Sequence, residues 1–101
     1  MILIYTTCAN QEEANKISSH LLAKKLCACT NSFPTTAMYA WNDRVMKESE
    51  VIVFIKTRKE NFKKVREEMK KIHSYETPAI FSLAVQDVDE AYKQWLEKET
   101  E

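Results

Sequence analysis

The stretch His73-Ser74-Tyr75-Glu76-Thr77-Pro78-Ala79-Ile80 gathers an imidazole, a phenol and a carboxylate within four residues. Two kinds of chemistry suit such a set. An imidazole beside a carboxylate can ligate a metal ion or carry a proton, with Glu76 as second ligand or as the ring's orienting partner. An imidazole at the end of a charged helix can equally cap it, because the dipole there favours the imidazolium and the last carbonyls need donors. Pro78 lacks an N–H and steers Thr77 away from helical angles, so the backbone after Tyr75 is expected to be fixed and extended.

Other reactive side chains are scattered. Cys27-Ala28-Cys29 sets two thiols on one face of a strand, where soft sulfurs could hold copper or zinc. Two small buried side chains are the simpler reading, because no second cysteine pair or histidine lies close in sequence. Cys8 follows the first strand in what reads as a loop, and His20 falls mid-helix among Ser19, Lys24 and Lys25. Thr6-Thr7-Cys8-Ala9-Asn10 offers hydroxyls and a helix N-terminus to a phosphate, but neither arginine nor glycine. No Ser/His/Asp or Cys/His catalytic order can be built from two histidines so placed, and no enzymatic activity is expected.

Composition narrows the field further. The 101 residues suit one domain, spanning 1–101, with 15 basic and 15 acidic side chains in balance. No global field therefore draws in nucleic acid or a membrane surface. Residues 56–71 carry a net +5 and residues 87–101 a net −4, which reads as two solvated helices of opposite sign. Glycine is absent, which excludes glycine-dependent phosphate cradles and dinucleotide turns. Three cysteines, with no charged and apolar leader at the start, point to free thiols in a reducing cytoplasm.

The elements follow from periodicity. Ile2 to Thr6 reads as a strand, and Asn10 with Glu13 as a capping box for a helix from about Gln11 to about Leu26. Leu26 to Thr30 and Ala37 to Trp41 read as strand, with Pro34 marking an edge or bulge. Asn42-Asp43 is a turn pair that tolerates left-handed geometry, and the return strand runs from about Arg44 to Lys56. Thr57 with Glu60 suggests a second capping box, before a helix with Phe62, Val65, Met69 and Ile72 on its apolar stripe. Ile80 to Val85 is the fourth strand. Asp87 with Glu90 suggests the cap of a last helix, on which Val88, Ala91, Tyr92, Trp95 and Leu96 share a face.

This β-α-β-β-α-β order is the ferredoxin-like pattern, an α+β fold with four antiparallel strands and two helices on one face, here with an added C-terminal helix. Two helices cover one sheet face, yet Val51-Ile52-Val53-Phe54-Ile55 is apolar on both. Leaving either set in water would forgo about 1.5–3 kcal/mol per side chain, so the last helix and another copy of the chain are expected to cover the second face. The same topology serves RNA-recognition domains, but those need a Lys/Arg-Gly-aromatic run on strand three, and none is present.

Several segments in order resemble the CutA divalent-cation tolerance family. They are Met1 to Thr7, Leu26-Cys27-Ala28-Cys29-Thr30-Asn31, Tyr39-Ala40-Trp41, Glu50, Ile55-Lys56-Thr57, His73 to Ile80, and Tyr92-Lys93-Gln94-Trp95-Leu96. The resemblance spans essentially the whole chain. It implies a homotrimer akin to the PII signalling proteins, a role in tolerance to copper and other divalent cations, and no established enzymatic reaction. Of the family's copper ligands it leaves His73, which is put forward as the principal metal ligand, with Glu76 and Cys29, from the reading of the residues themselves, as further ones. It also raises an alternative, a sensor with an inter-subunit cleft lined by Lys56, Tyr39, Trp41, Glu50, Tyr75 and Glu76. There Lys56 and Glu76 would face a small anionic or zwitterionic ligand with opposed charges. The chain departs from the family at Asp43, where a glycine is usual, at Ser74, where a proline is usual, and at Thr6 and Ile72. The last two stand where copper-ligating members carry a cysteine and a second histidine.

Overall fold

The computed structural model describes residues 1–100. Glu101, the last acid of the C-terminal run, lies outside them. The elements are β1 (Ile2–Cys8), α1 (Gln11–Ala23), β2 (Cys29–Trp41), β3 (Arg44–Thr57), α2 (Phe62–Ile72), β4 (Ile80–Ala84) and α3 (Glu90–Glu99), with one 3₁₀ turn at Lys59–Asn61 before α2. The sheet order is β2-β3-β1-β4 with every neighbour antiparallel, the ferredoxin-like arrangement expected from the element order.

Alternation along β3 divides the molecule. Val51, Val53, Ile55 and Thr57 are buried, and with Ile2, Ile4 and Cys8 of β1 they meet Ala14, Ile17 and Leu21 of α1 and Val65 and Met69 of α2 in one core. The intervening side chains face the other way. There Tyr5 stacks on Phe81 with ring centroids 4.5 Å apart, and Phe54 sits between Tyr5 at 6.1 Å and Phe33 at 5.6 Å. This aromatic row stays half open, with Phe81 46% and Leu83 50% exposed. Helix α3 covers only one end of the face: Leu96 is buried, and the Lys56 ammonium lies 5.8 Å from the centre of the Tyr92 ring.

Local chemistry differs from expectation at three helix ends. Helix α1 stops at Ala23, because Lys25 turns left-handed (φ 57°) and the N–H groups of Lys25 and Leu26 bond back to the carbonyls of Leu22 and Leu21. That is a Schellman ending without its usual glycine. Thr57 caps nothing. It closes β3 and donates its hydroxyl to the Leu26 carbonyl at 2.7 Å, so the second capping box gives way to strand pairing. The N-cap of α3 is Asp89, not Asp87, with its carboxylate accepting the Tyr92 N–H at 3.3 Å. Between the helices, buried Glu68 of α2 accepts from His20 at 2.9 Å and Lys71 at 2.6 Å, with Lys24 at 3.6 Å. The hydrogen bonds from Lys71 and His20, with the charges of Lys24 and Lys71, hold its carboxyl down at about 2 against the opposing effect of burial.

Strands β2 and β3 form one continuous hairpin through Pro34, which the edge position of β2 tolerates. Beyond the end of β1, opposite Val51, the pairs from Thr35–Glu50 to Trp41–Arg44 project as a two-stranded arm about 20 Å long. Its tip, Asn42 (φ 50°) and Asp43 (φ 62°), makes the turn with two left-handed residues. Asp43→Gly relieves the left-handed strain while adding freedom to the unfolded chain. The net gain expected is about 0.5–1 kcal/mol, or a melting point several degrees higher by calorimetry.

Candidate functional site

The loop after α2 carries chemistry to both faces of the sheet. On the helix side, the His73 ring is fully enclosed, its Nε2 2.9 Å from the Thr7 carbonyl and 3.4 Å from the Thr6 hydroxyl. Nε2 therefore carries the proton and donates it to Thr7, and Nδ1 accepts the Tyr75 N–H at 3.1 Å. A neutral imidazole satisfies both contacts.

Glu13 completes this corner from the first turn of α1. Asn10 accepts the Glu13 N–H at 2.8 Å as a capping residue should. The Glu13 carboxylate reaches one residue further back than a capping box requires, accepting from Ala9 N–H at 2.9 Å. Its second oxygen accepts the Ser74 N–H at 2.7 Å and lies 4.0 Å from His73 Nδ1. Burial pushes this carboxyl upward, but the hydrogen bonds it accepts from Ala9 and Ser74 outweigh it, so the net shift is downward. The Cys8 thiol lies beneath, fully buried and pushed up to about 12, mainly by burial and then by Glu13 and Glu50. One ligand atom from each of Cys8, Glu13 and His73 falls within 4.8 Å of the others.

Two residues further on, Tyr75 has crossed to the open face, where its hydroxyl donates to Glu50 at 2.6 Å. Burial first, and then Glu50, push this phenol above its ordinary range. Tyr75 and the segment 74–79 form one bank of an open groove of about 730 Å³, with the hairpin arm as the other. Tyr39, Trp41, Met46, Glu48 and Glu50 line the arm side, Glu76 and Thr77 the loop side, and Tyr5 and Thr7 the floor. All the arm residues named share the sheet face of Tyr5 and Phe54, as the β2–β3 register requires.

The expected site residues therefore divide. Tyr39, Trp41, Glu50, Tyr75 and Glu76 do come together in the groove, whereas Lys56 does not line it. Lys56 sits at the other end of β3, paired with Cys29 and Leu3, and faces Tyr92 of α3. An opposed Lys56–Glu76 charge pair across one ligand is thus not formed within the chain. Cys29 is separated from His73 by at least roughly 13 Å of strand, since its register position is level with Leu3 while His73 binds at Thr7. The carboxylate in the His73 cluster is Glu13 rather than Glu76. Glu13 was visible in the sequence only as a cap, and Cys8 only as a loop residue; the topology alone brings them to His73. Cys27 precedes β2 and is buried, its thiol pushed up to about 12 by that burial, while Cys29 opens the strand half-buried.

Residues 2–99 match the family of CutA1 divalent ion tolerance proteins. The chain belongs to this family. The divalent-cation tolerance protein CutA of Thermotoga maritima is 43% identical over 96 residues, covering 95% of each chain. That of Pyrococcus horikoshii is 38% identical over 100 residues, covering 99% of this chain and 98% of its own. The solved structure of the periplasmic divalent cation tolerance protein CutA from Archaeoglobus fulgidus has a TM-score of 0.98 at 36% identity and 100% coverage of both chains. The CutA fold thus extends from the sheet to the loop 73–79 that joins its two faces.

The depressed Glu13 carboxyl links this corner to pH. A folded-state value below the ordinary 4.5 means that its stabilisation is present above 4.5 and is lost as pH falls through the lower, folded value. Glu13→Gln is expected to melt below the wild type at pH 7, with the gap closing in acid. Amide exchange at Ala9 and Ser74 should be faster in the variant at pH 7; unchanged exchange would show that the carboxylate does not hold the loop.

Proposed function

We propose that this protein is a homotrimeric, non-enzymatic divalent-cation tolerance protein that binds divalent metal ions, copper among them, at the Cys8–Glu13–His73 cluster. The observation that carries this reading is the convergence of sulfur, oxygen and nitrogen donors within 4.8 Å in a family defined by divalent-ion tolerance. Mixed thiolate, imidazole and carboxylate sets suit zinc and copper. The His73 contacts support it too. A ligating imidazole typically donates its second N–H to a backbone carbonyl, as Nε2 does to Thr7, leaving Nδ1 to the ion. Taking up an ion there replaces the Tyr75 N–H contact at Nδ1, displaces the Cys8 proton and draws the three side chains closer together.

Trimer formation is supported by the half-covered aromatic row and by the projecting arm, both of which leave apolar surface for neighbouring copies. The free thiols of Cys8, Cys27 and Cys29 support a reducing, cytoplasmic setting. A second reading, a PII-like sensor that binds a small molecule between subunits, is favoured by the groove. Its volume of about 730 Å³ and mixed aromatic and polar walls are those of a ligand site.

Titration of metal-free protein with Cu²⁺ and Zn²⁺ tests the first reading. His73→Ala and Cys8→Ser should each weaken binding at least about tenfold, the loss of one strong ligand contact, whereas Cys29→Ser should leave it unchanged. Isotherms indistinguishable from wild type in His73→Ala would remove the site. Light scattering at micromolar concentration is expected to give about three times the 11.8 kDa chain mass; a monomer would refute the assembly.

A further inference from the structure

We propose that filling the Cys8–Glu13–His73 cluster releases the loop 74–77 and breaks the Tyr75–Glu50 hydrogen bond, so that metal occupancy on the helix side of the sheet registers at the foot of the hairpin arm on the other. This rests on the reading of the cluster as a metal site and assigns that site a conformational output. Every contact used lies within one copy of the chain.

The reason is a competition for acceptors. A neutral imidazole offers one ring lone pair, and with the proton on Nε2 it is at Nδ1. The Tyr75 N–H occupies it at 3.1 Å. A zinc–nitrogen bond is about 2.0–2.1 Å long, so the same lone pair cannot serve both an ion and an amide at that distance. Glu13 repeats the conflict one residue earlier in the loop. Its oxygen that accepts the Ser74 N–H at 2.7 Å is the one lying 4.0 Å from Nδ1. Two successive backbone donors of the loop therefore rest on atoms that two of the three ligands would give to an ion.

Anchoring decides which partner yields. His73 is pinned by its own N–H to the Met69 carbonyl at 2.9 Å, by Nε2 to the Thr7 carbonyl at 2.9 Å, and by complete burial of its side chain. Glu13 is carried by the first turn of α1. Among the described residues, no backbone–backbone hydrogen bond holds residues 74–77, and Ser74, Glu76 and Thr77 are exposed. The loop yields.

Tyr75 carries the movement across the sheet. Its ring lies against His73 with centroids 5.0 Å apart, and its hydroxyl donates to Glu50 at 2.6 Å. A backbone shift of roughly an ångström or more takes so short and directional a bond out of range. Glu50 pairs with Thr35 at the point where the arm leaves the sheet.

Zinc, which has no redox chemistry, is the probe, added to the full-length, assembled protein at pH 7. Calorimetry reads its binding, and amide exchange followed by NMR reads the loop. Saturating zinc is expected to speed exchange at Tyr75 several-fold in the wild type, and not in His73→Ala. Linkage is reciprocal, so Tyr75→Phe, which lacks the bond to Glu50, should bind zinc about tenfold more tightly. A merely structural role for the Tyr75 hydroxyl would leave zinc affinity equal or weaker. Tyr92→Phe on α3 should leave it unchanged. Zinc binding that His73→Ala abolishes, with Tyr75 exchange unchanged, overturns the switch and leaves the metal site standing. Faster exchange with no tightening in Tyr75→Phe overturns the transmission to Glu50. Absence of zinc binding overturns the site and the switch together. Exchange in the wild type keeps the test open should Tyr75→Phe fail to fold.

Discussion

A four-stranded sheet with two helices has one face too many, and most of what is distinctive here follows from that constraint. Val51, Val53 and Ile55 turn into the core under α1 and α2, so Ile52 and Phe54 must turn away from it. The alternation is fixed by the pleat and cannot be relaxed locally, because a one-residue slip would exchange the two sets. Helix α3 covers only the end near Lys56. The remaining aromatic row and the groove beside it are what the strand period leaves over, and they are the surface this face offers for assembly.

The two faces are nevertheless joined by a short run of hydrogen bonds. Glu13 of α1 holds Ala9 and Ser74, His73 holds Thr7 and Tyr75, and Tyr75 reaches Glu50 on the far side. Each bond alone is worth about 0.5–1.5 kcal/mol net, somewhat more where a carboxylate takes part. Their value lies in sequence: a change at the His73 ring nitrogen is felt at the Tyr75 backbone and so at the groove wall. The proposed metal cluster and the groove are therefore neighbours through one residue, even though they open on opposite sides of the sheet.

The fold was legible because periodicity and capping agree along most of the chain. Asn10 and the apolar runs of β1, β3 and α2 state their structure locally. Thr57 misled because strand pairing competed for a residue that also fits a cap, and Asp87 because a better cap lay two residues on. The site was less legible for a related reason. Residues 73–76 were visible as a cluster in the chain, and so were the aromatics of the arm. Cys8 and Glu13 meet His73 only through tertiary packing, and no local pattern announces that. Cys29 and Lys56 lie in segments that carry the family resemblance, but the register holds them at the opposite end of the sheet.

The arm formed by Thr35–Trp41 and Arg44–Glu50 has a further consequence. A two-stranded ribbon without a third strand is marginal in water, so its order depends on what it rests against. Yet it supplies one whole bank of the groove. In an assembly that clamps the arm, occupancy of the groove and association of the chains become coupled equilibria. A ligand that favours the clamped arm tightens the assembly by the same factor by which assembly tightens the ligand. Dilution would then act on the groove as a negative effector, and saturation of the groove would act as glue.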